Sequence, residues 1–232
     1  MKNYDELLRD LAPRKFGRRG VIWTTILVLI IIVGLIAYID QIIKGQVVTN
    51  MRDYALWGIY ISNFVFFVAT SFVGSVTVAI LRLTNNTWRT PLVRIAEIIS
   101  LAAIVMAGLT IMIDMGRPDR LLNLFIHARL QSPITWDVII VPTYIVFSFL
   151  LLYFPLLPDL AILKKHFKKT KPKLSKLYGK FALNWKGTKA QKLIQSKSIR
   201  IIAIMIIPIG ILLQTIDAWL FSTTYRIGWD SS

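Results

Sequence analysis

The chain of 232 residues contains no cysteine. Disulfides, cysteine-ligated iron–sulfur clusters and thiol chemistry are therefore excluded. Histidine is almost absent, with only His127 and His166. Acids are scarce: 12 Asp and Glu stand against 28 Lys and Arg, a formal net charge of +16. The short alternating segments that build an outer-membrane barrel are missing as well. Apolar sequence is what the chain has in abundance, 55% of its residues being hydrophobic. Soluble domains rarely have that composition.

Five apolar segments, over residues 21–39, 54–83, 91–113, 135–157 and 199–221, reach the length that crosses a bilayer. A hydrocarbon core about 30 Å thick needs about 20 such residues in a helix. Lipid leaves backbone polar groups no other partner, so all five are read as helices. The expected fold is all-α, a polytopic membrane helical bundle. The first segment is too long for a typical signal peptide and lacks a small-x-small cleavage site, so it is expected to stay as an anchor.

The basic excess suggests nucleic acid at first sight. Its distribution along the chain points elsewhere. If the five segments cross alternately, 22 of the Lys and Arg fall on one side and 6 on the other. The positive-inside rule then puts the N-terminus and the basic stretch 164–200 in the cytoplasm. It puts the polar island 114–137 and the C-terminus outside. The expected divisions are a cytoplasmic amphipathic segment over 1–20, a four-helix transmembrane bundle over 21–161, a basic cytoplasmic loop over 162–198, and the fifth helix with an outer turn over 199–232.

In the first segment, Tyr4, Leu7, Leu8 and Leu11 fall on one helical face and Pro13 ends the run, as in a helix lying on a membrane surface. In the basic loop, Leu174, Leu177, Tyr178, Phe181 and Trp185 share a face, with Lys173, Lys176 and Lys180 elsewhere. This reads as an interfacial helix against anionic lipid headgroups. No nucleic-acid motif accompanies it, so membrane lipid is the expected partner and nucleic acid is not.

Depth along the helices gathers titratable groups at one membrane surface. Asp40, Asp114, Asp137 and Asp217 all come near the outer ends of their segments, with His127 in the loop between the middle two. Two readings stay open. Such acids simply touch water or pair with Arg117, Arg120 and Arg129, or they serve a site. Thr135 is the expected N-cap of the fourth helix, with Asp137 in its first turn; Ser132 followed by Pro133 offers an earlier start.

Arg94 and Glu97, three residues apart, share a face near the inner end of the third helix. A charge there is costly, so Glu97 is either half of a structural pair with Arg94 or a proton relay. Asn63, Thr70 and Thr77 recur every seven residues in the second helix, with Gly74 and Ser75 nearby, and read as a packing stripe of small and polar residues. Asn63 could also line an outer pocket. A bis-His haem needs two histidines at one depth. His127 and His166 lie on opposite sides in this topology, so no haem is expected. Two histidines without cysteine do not suggest a dedicated metal site either.

"WGIYISNFVFF", "DMGRPDR", "SPITWD" and "TYIVFSFLLLYFPLLPDLA" together resemble the NrfD and polysulfide reductase membrane subunits, a family that includes the large quinone-handling subunits of alternative complex III. "IGILLQTIDAWLFSTTYRIGW" is similar to that family's fifth helix and the turn after it. The resemblance implies an integral membrane subunit of a respiratory oxidoreductase in the plasma membrane of a prokaryote. Quinone, menaquinone or similar, would be bound as substrate near the outer face. Electrons would pass to an iron–sulfur, ferredoxin-like subunit, in a complex that can include a molybdopterin-type or cytochrome subunit. Asp137 and His127 would contact quinol and accept its protons, with Asn63, Asp114 and Asp217 lining the site. Arg94 and Glu97 would form an inner relay. The chain itself would carry no haem and no cluster, and would not be catalytic alone.

Two features depart from the family pattern. Family members usually continue with three or more helices beyond the turn, and they often have His where Asp230 follows Gly228 and Trp229. A fragment, a split gene whose second chain supplies the helices, or a shortened paralogue would each fit. A structural anchor without its own quinone site, or half of a transporter, are the competing functions.

Overall fold

The computed structural model describes residues 17–49, 58–84 and 89–223. The amphipathic segment around Leu7 and the turn at Gly228, Trp229 and Asp230 lie outside the described residues, as does the start of the second apolar segment at Tyr54. The described elements are all helical. They are α1 (Arg18–Lys44), α2 (Ile59–Leu83), α3 (Arg89–Asp114), the short α4 (Leu121–Ile126), α5 (Pro133–Thr170), α6 (Pro172–Phe181) and α7 (Lys189–Ser222), with short 3-10 turns at Gln46–Thr49 and Pro118–Arg120. Five of them are long and apolar enough to cross a membrane, in line with the five apolar segments of the sequence.

Polar side chains share the interior with apolar ones, and large apolar side chains cover much of the surface. Ser71, Ser75, Glu97, Ser100, Thr110, Asp137, Ser148 and Asp217 are buried, while Phe66, Val73, Ile95, Ile98, Val146, Phe149 and Ile204 are exposed. In lipid, apolar side chains gain nothing by turning inward. Helices associate there through small residues and interhelical hydrogen bonds.

The chain divides into two compact units, one of residues 38–152 and 200–232, the other of residues 1–37 and 153–199. In the first, α2 and α3 pack antiparallel through a reciprocal serine clamp. Ser71 Oγ donates to the Ser100 carbonyl at 2.8 Å, and Ser100 Oγ donates to the Ser71 carbonyl at 2.9 Å. Gly74 permits the approach, since a Cβ there would stand 3.1 Å from Ser100 Cβ and 3.2 Å from the Ala96 carbonyl oxygen. Tyr144 of α5 adds its hydroxyl to Ser75 and to the Ser71 carbonyl.

Of the stripe expected on α2, Gly74 and Ser75 do lie at the packing interface, while Asn63 and Thr77 do not. Asn63 and Thr77 are exposed, and the Thr70 and Thr77 hydroxyls bond back to the carbonyls of Phe66 and Val73. A hydroxyl four residues past a carbonyl on its own helix is already satisfied without a neighbour.

In the second unit, α6 folds back along the end of α5. Ser175 Oγ donates to the Lys164 carbonyl at 2.9 Å, and Tyr153 Oη to the Phe181 carbonyl at 2.6 Å. The rings of Phe167 and Tyr178 stack, their centroids 5.8 Å apart. The helix expected within the basic loop is present as α6, and the long helices on either side extend further into that stretch than expected. α5 runs on from 157 to Thr170 and α7 begins at Lys189, ten residues before the expected 199. Composition marks where a span leaves lipid, not where its helix stops, and lysine is a good helix former.

Candidate functional site

The first unit closes one end of its bundle with the polar island. α3 ends at Asp114, and its last four carbonyls would be left without helical donors. Each has a partner. Met115 N donates to the Ile111 carbonyl at 3.0 Å. Tyr38 Oη lies 3.5 Å from the Met112 carbonyl oxygen, Gln41 Nε2 donates to Ile113 at 2.8 Å, and Gln46 Nε2 donates to Asp114. Gln41 is itself held by Tyr60, whose hydroxyl donates to Oε1 at 3.1 Å. Sequence reasoning missed this clasp. Its signal was two amides, Gln41 and Gln46, flanking the end of the first apolar run.

With α3 pinned, the turn through Pro118–Arg120 leads into α4, which lies over a cleft of about 420 Å³. Leu109 and Met112 of α3, Leu121 and Phe125 of α4, and Val141 of α5 form much of its wall. Asp137 is the one titratable side chain on that wall among the described residues. It is 8% exposed, and its Oδ1 has no hydrogen-bond partner among the described residues. Asp217 of α7, also buried, stands within side-chain hydrogen-bond reach of it. Carboxylates can only accept, so a hydrogen bond between two carboxyl groups requires a proton held between them.

α5 starts at Pro133, the earlier of the two starts, with Thr135 N donating to the Ser132 carbonyl at 3.1 Å. Asp137 is therefore not in the first turn, which holds no acid. The expectation of Thr135 as N-cap is corrected by proline's preference for the first helical position. The helix dipole acts mainly within the first turn, so complementing it explains Asp137 poorly.

The other candidates are more scattered. Asp114 is half-buried at the end of α3, with Oδ1 buried and unpartnered among the described residues, but it is not on the cleft wall. His127 is exposed at the C-cap of α4, its N–H donating to the Asn123 carbonyl at 2.9 Å. It stands one turn or less beyond the cleft-lining Phe125. Asn63 is exposed on α2 and does not line the cleft. Asp40 pairs with Lys44 at 2.7 Å on the surface, a pair of small energetic value.

Glu97 is 2% exposed. Its ion pair is with Arg82 of α2, whose Nε donates to Oε1 at 3.1 Å while Nη2 contacts the same oxygen. Arg94 is near enough to add its charge. Helical spacing had pointed to Arg94, but a carboxylate facing into the bundle is best reached across the α2–α3 interface. The signal for Arg82 was its position at the same end of the neighbouring helix. Among the described residues no three His, Cys, Asp or Glu converge as metal ligands would.

Known proteins bear on this geometry. Residues 47–232 match the family model described as "Polysulphide reductase, NrfD". A protein from Halobacterium salinarum that carries the name of a dimethyl sulfoxide reductase membrane subunit is 33% identical over 144 residues, which is 62% of this chain and 33% of that protein. A selenate reductase subunit from Mesobacillus selenatarsenatis is 26% identical over 123 residues, 50% of this chain and 28% of that protein. The matched stretch spans about a third of each relative's length. With the match covering most of the sequence and five apolar helices in the fold, this chain is a multi-pass membrane protein belonging to the NrfD polysulphide reductase family.

Proposed function

We propose that the chain is the quinone-handling membrane subunit of a respiratory oxidoreductase, and that the cleft beneath α4 takes the quinone headgroup. The observation that carries this is the pairing of an apolar wall with a single buried carboxyl, Asp137, backed by Asp217. Ligand pockets typically combine an apolar lining with a few placed polar groups, at volumes of about 300–1,000 Å³.

The chemistry follows from the residues. A quinol becomes a quinone by giving up two protons and two electrons. Two carboxyl groups side by side can hold an incoming proton between them, and the unpartnered Oδ1 of Asp137 is where it arrives. Proton transfer to a positioned base contributes about 10²–10⁴-fold to rate. The second proton leaves through water at the mouth, where His127 is the candidate acceptor. The two electrons pass to an iron–sulfur partner subunit, a role that the family match and the reductase-subunit relatives support; this chain has no cysteine to hold a cluster of its own. Run backward, the same groups protonate a quinone. The charge distribution supports a cytoplasmic N-terminus and an outward-facing cleft, and the family match with its bacterial and archaeal relatives supports the plasma membrane of a prokaryote.

The test is bound quinone. Leu109 lines the cleft and is partly exposed, so Leu109→Trp should push a bulky ring into it and narrow the space for a headgroup. The assembled complex should then lose quinone on extraction. Wild-type quinone content in that variant would place the quinone outside this cleft, and a wild-type complex without bound quinone would leave the chain as a structural anchor.

A further inference from the structure

We propose that α6 and the turn after it form a docking site for anionic phospholipid headgroups at the bilayer surface. The proposal is independent of the quinone reading, because every residue in it belongs to the second unit.

The first observation is which face of α6 does the packing. Ser175 and Ala182 are buried, and Gly179 lies against the Lys164 side chain. With Tyr178 stacked on Phe167, these residues hold the helix to α5. The most apolar side chains are left over: Leu177 is 50% exposed, Phe181 51% and, in the following turn, Leu183 64%. Amphipathic helices of soluble proteins bury that face. Here the helix is already anchored by its small residues, and the apolar face is exposed among the described residues.

The second observation is depth. The hydrogen bond from Tyr153 to the Phe181 carbonyl sets Phe181 level with Tyr153, and Tyr153 lies inside the apolar stretch 135–157. Ser175 is level with Lys164, further along α5. α6 therefore returns toward the bilayer, its apolar end leading. Leu183 and Asn184 then take left-handed backbone angles, φ 44° and 54°. Asn adopts that region readily and Leu does not. A strained backbone that presents a leucine outward is hard to explain by water and follows naturally if the leucine enters lipid.

The third observation is charge. The 13 Lys and Arg of residues 164–200 have no acid among them, the sequence holding none between Asp159 and Asp217. Lys173, Lys176 and Lys180 are exposed on the α6 face beside Leu177 and Phe181. The Lys164 side chain is laid across Gly179, where a Cβ would meet its Cε at 3.0 Å and its Nζ at 3.4 Å. That notch fixes an ammonium near the helix. Cations at the phosphate level with apolar groups just below them match an anionic lipid surface.

Absence of native cysteine makes the test clean. An environment-sensitive fluorophore is attached to Leu177→Cys or Leu183→Cys in the full chain. The protein is reconstituted in vesicles of phosphatidylcholine with or without phosphatidylglycerol, with circular dichroism as the check on folding. Both labels should be shielded from acrylamide, a neutral aqueous quencher, in the anionic vesicles. The Lys173→Gln/Lys176→Gln/Lys180→Gln variant should lower selectivity for spin-labelled phosphatidylglycerol at least about fivefold, the factor for one lysine near an anionic surface. Labels fully open to acrylamide in both vesicles would overturn the proposal. So would equal shielding in both with no effect of the lysines, or shielding that needs added RNA or a partner subunit.

Discussion

Asp137 of α5 and Asp217 of α7 are 80 positions apart in the sequence, and their buried carboxyl groups meet within hydrogen-bond reach. Only Asp137 also reaches the cleft wall. The pair is thus asymmetric: one member faces the space a ligand would fill, and the other stands behind it.

Asp137→Asn keeps the shape and some hydrogen bonding but removes the base. The variant complex is expected to assemble normally on native gels and to oxidise quinol at least about tenfold more slowly, a floor below the usual general-base contribution. Asp217→Asn should also slow turnover, and the double variant should cost little more than Asp137→Asn alone, because groups acting as a unit are not additive. His127→Gln, off the cleft wall, should have the smaller effect. Wild-type turnover in Asp137→Asn would return the pair to a structural role.

Arg82 should matter more to stability than Arg94. Removing one partner of a buried ion pair strands the other, at about 3–5 kcal/mol. Arg82→Met should therefore lower the unfolding midpoint in detergent sharply. Arg94→Met should lower it less, and Arg82→Met with Glu97→Gln should recover part of the loss. Equal effects of the two arginine variants would show that Arg94 holds Glu97 as strongly as Arg82 does.

Gly210 sits where α7 passes α2 and α5. A Cβ there would stand 2.6 Å from Phe72 Cδ2 and 3.2 Å from Tyr144 Cε2. Overpacking of this kind costs about 1–3 kcal/mol. Gly210→Ala should destabilise the chain in thermal unfolding, and Phe72→Leu should partly relieve it. A neutral Gly210→Ala would mean that α7 can shift freely.

Topology is open to direct measurement. Reporter fusions at Lys180 should be active in the cytoplasm and fusions at Leu124 active outside, following the 22-to-6 division of basic residues. A cytoplasmic signal at Leu124 would turn the cleft to the inner surface and remove the proposed route for protons.

The five spans were legible in the sequence because lipid permits few backbone solutions, so apolar length alone nearly dictates a helix. Depth was legible for the same reason: a residue's distance from a span's end places it along the membrane normal. That is how Asp114, Asp137 and Asp217 could be assigned to one end of the bundle from their positions alone. Rotation about each helix axis was not legible, because a lipid-facing helix has no strong apolar moment to orient it. Packing decided it. The serine clamp and Gly74 turned α2 so that Asn63 faces outward and Arg82 reaches Glu97. The glutamine clasp on α3 fixed the turn that lays α4 over the cleft. Asp137 and Asp217 pair, and His127 stays exposed, because those rotations were chosen by contacts between helices far apart in the sequence.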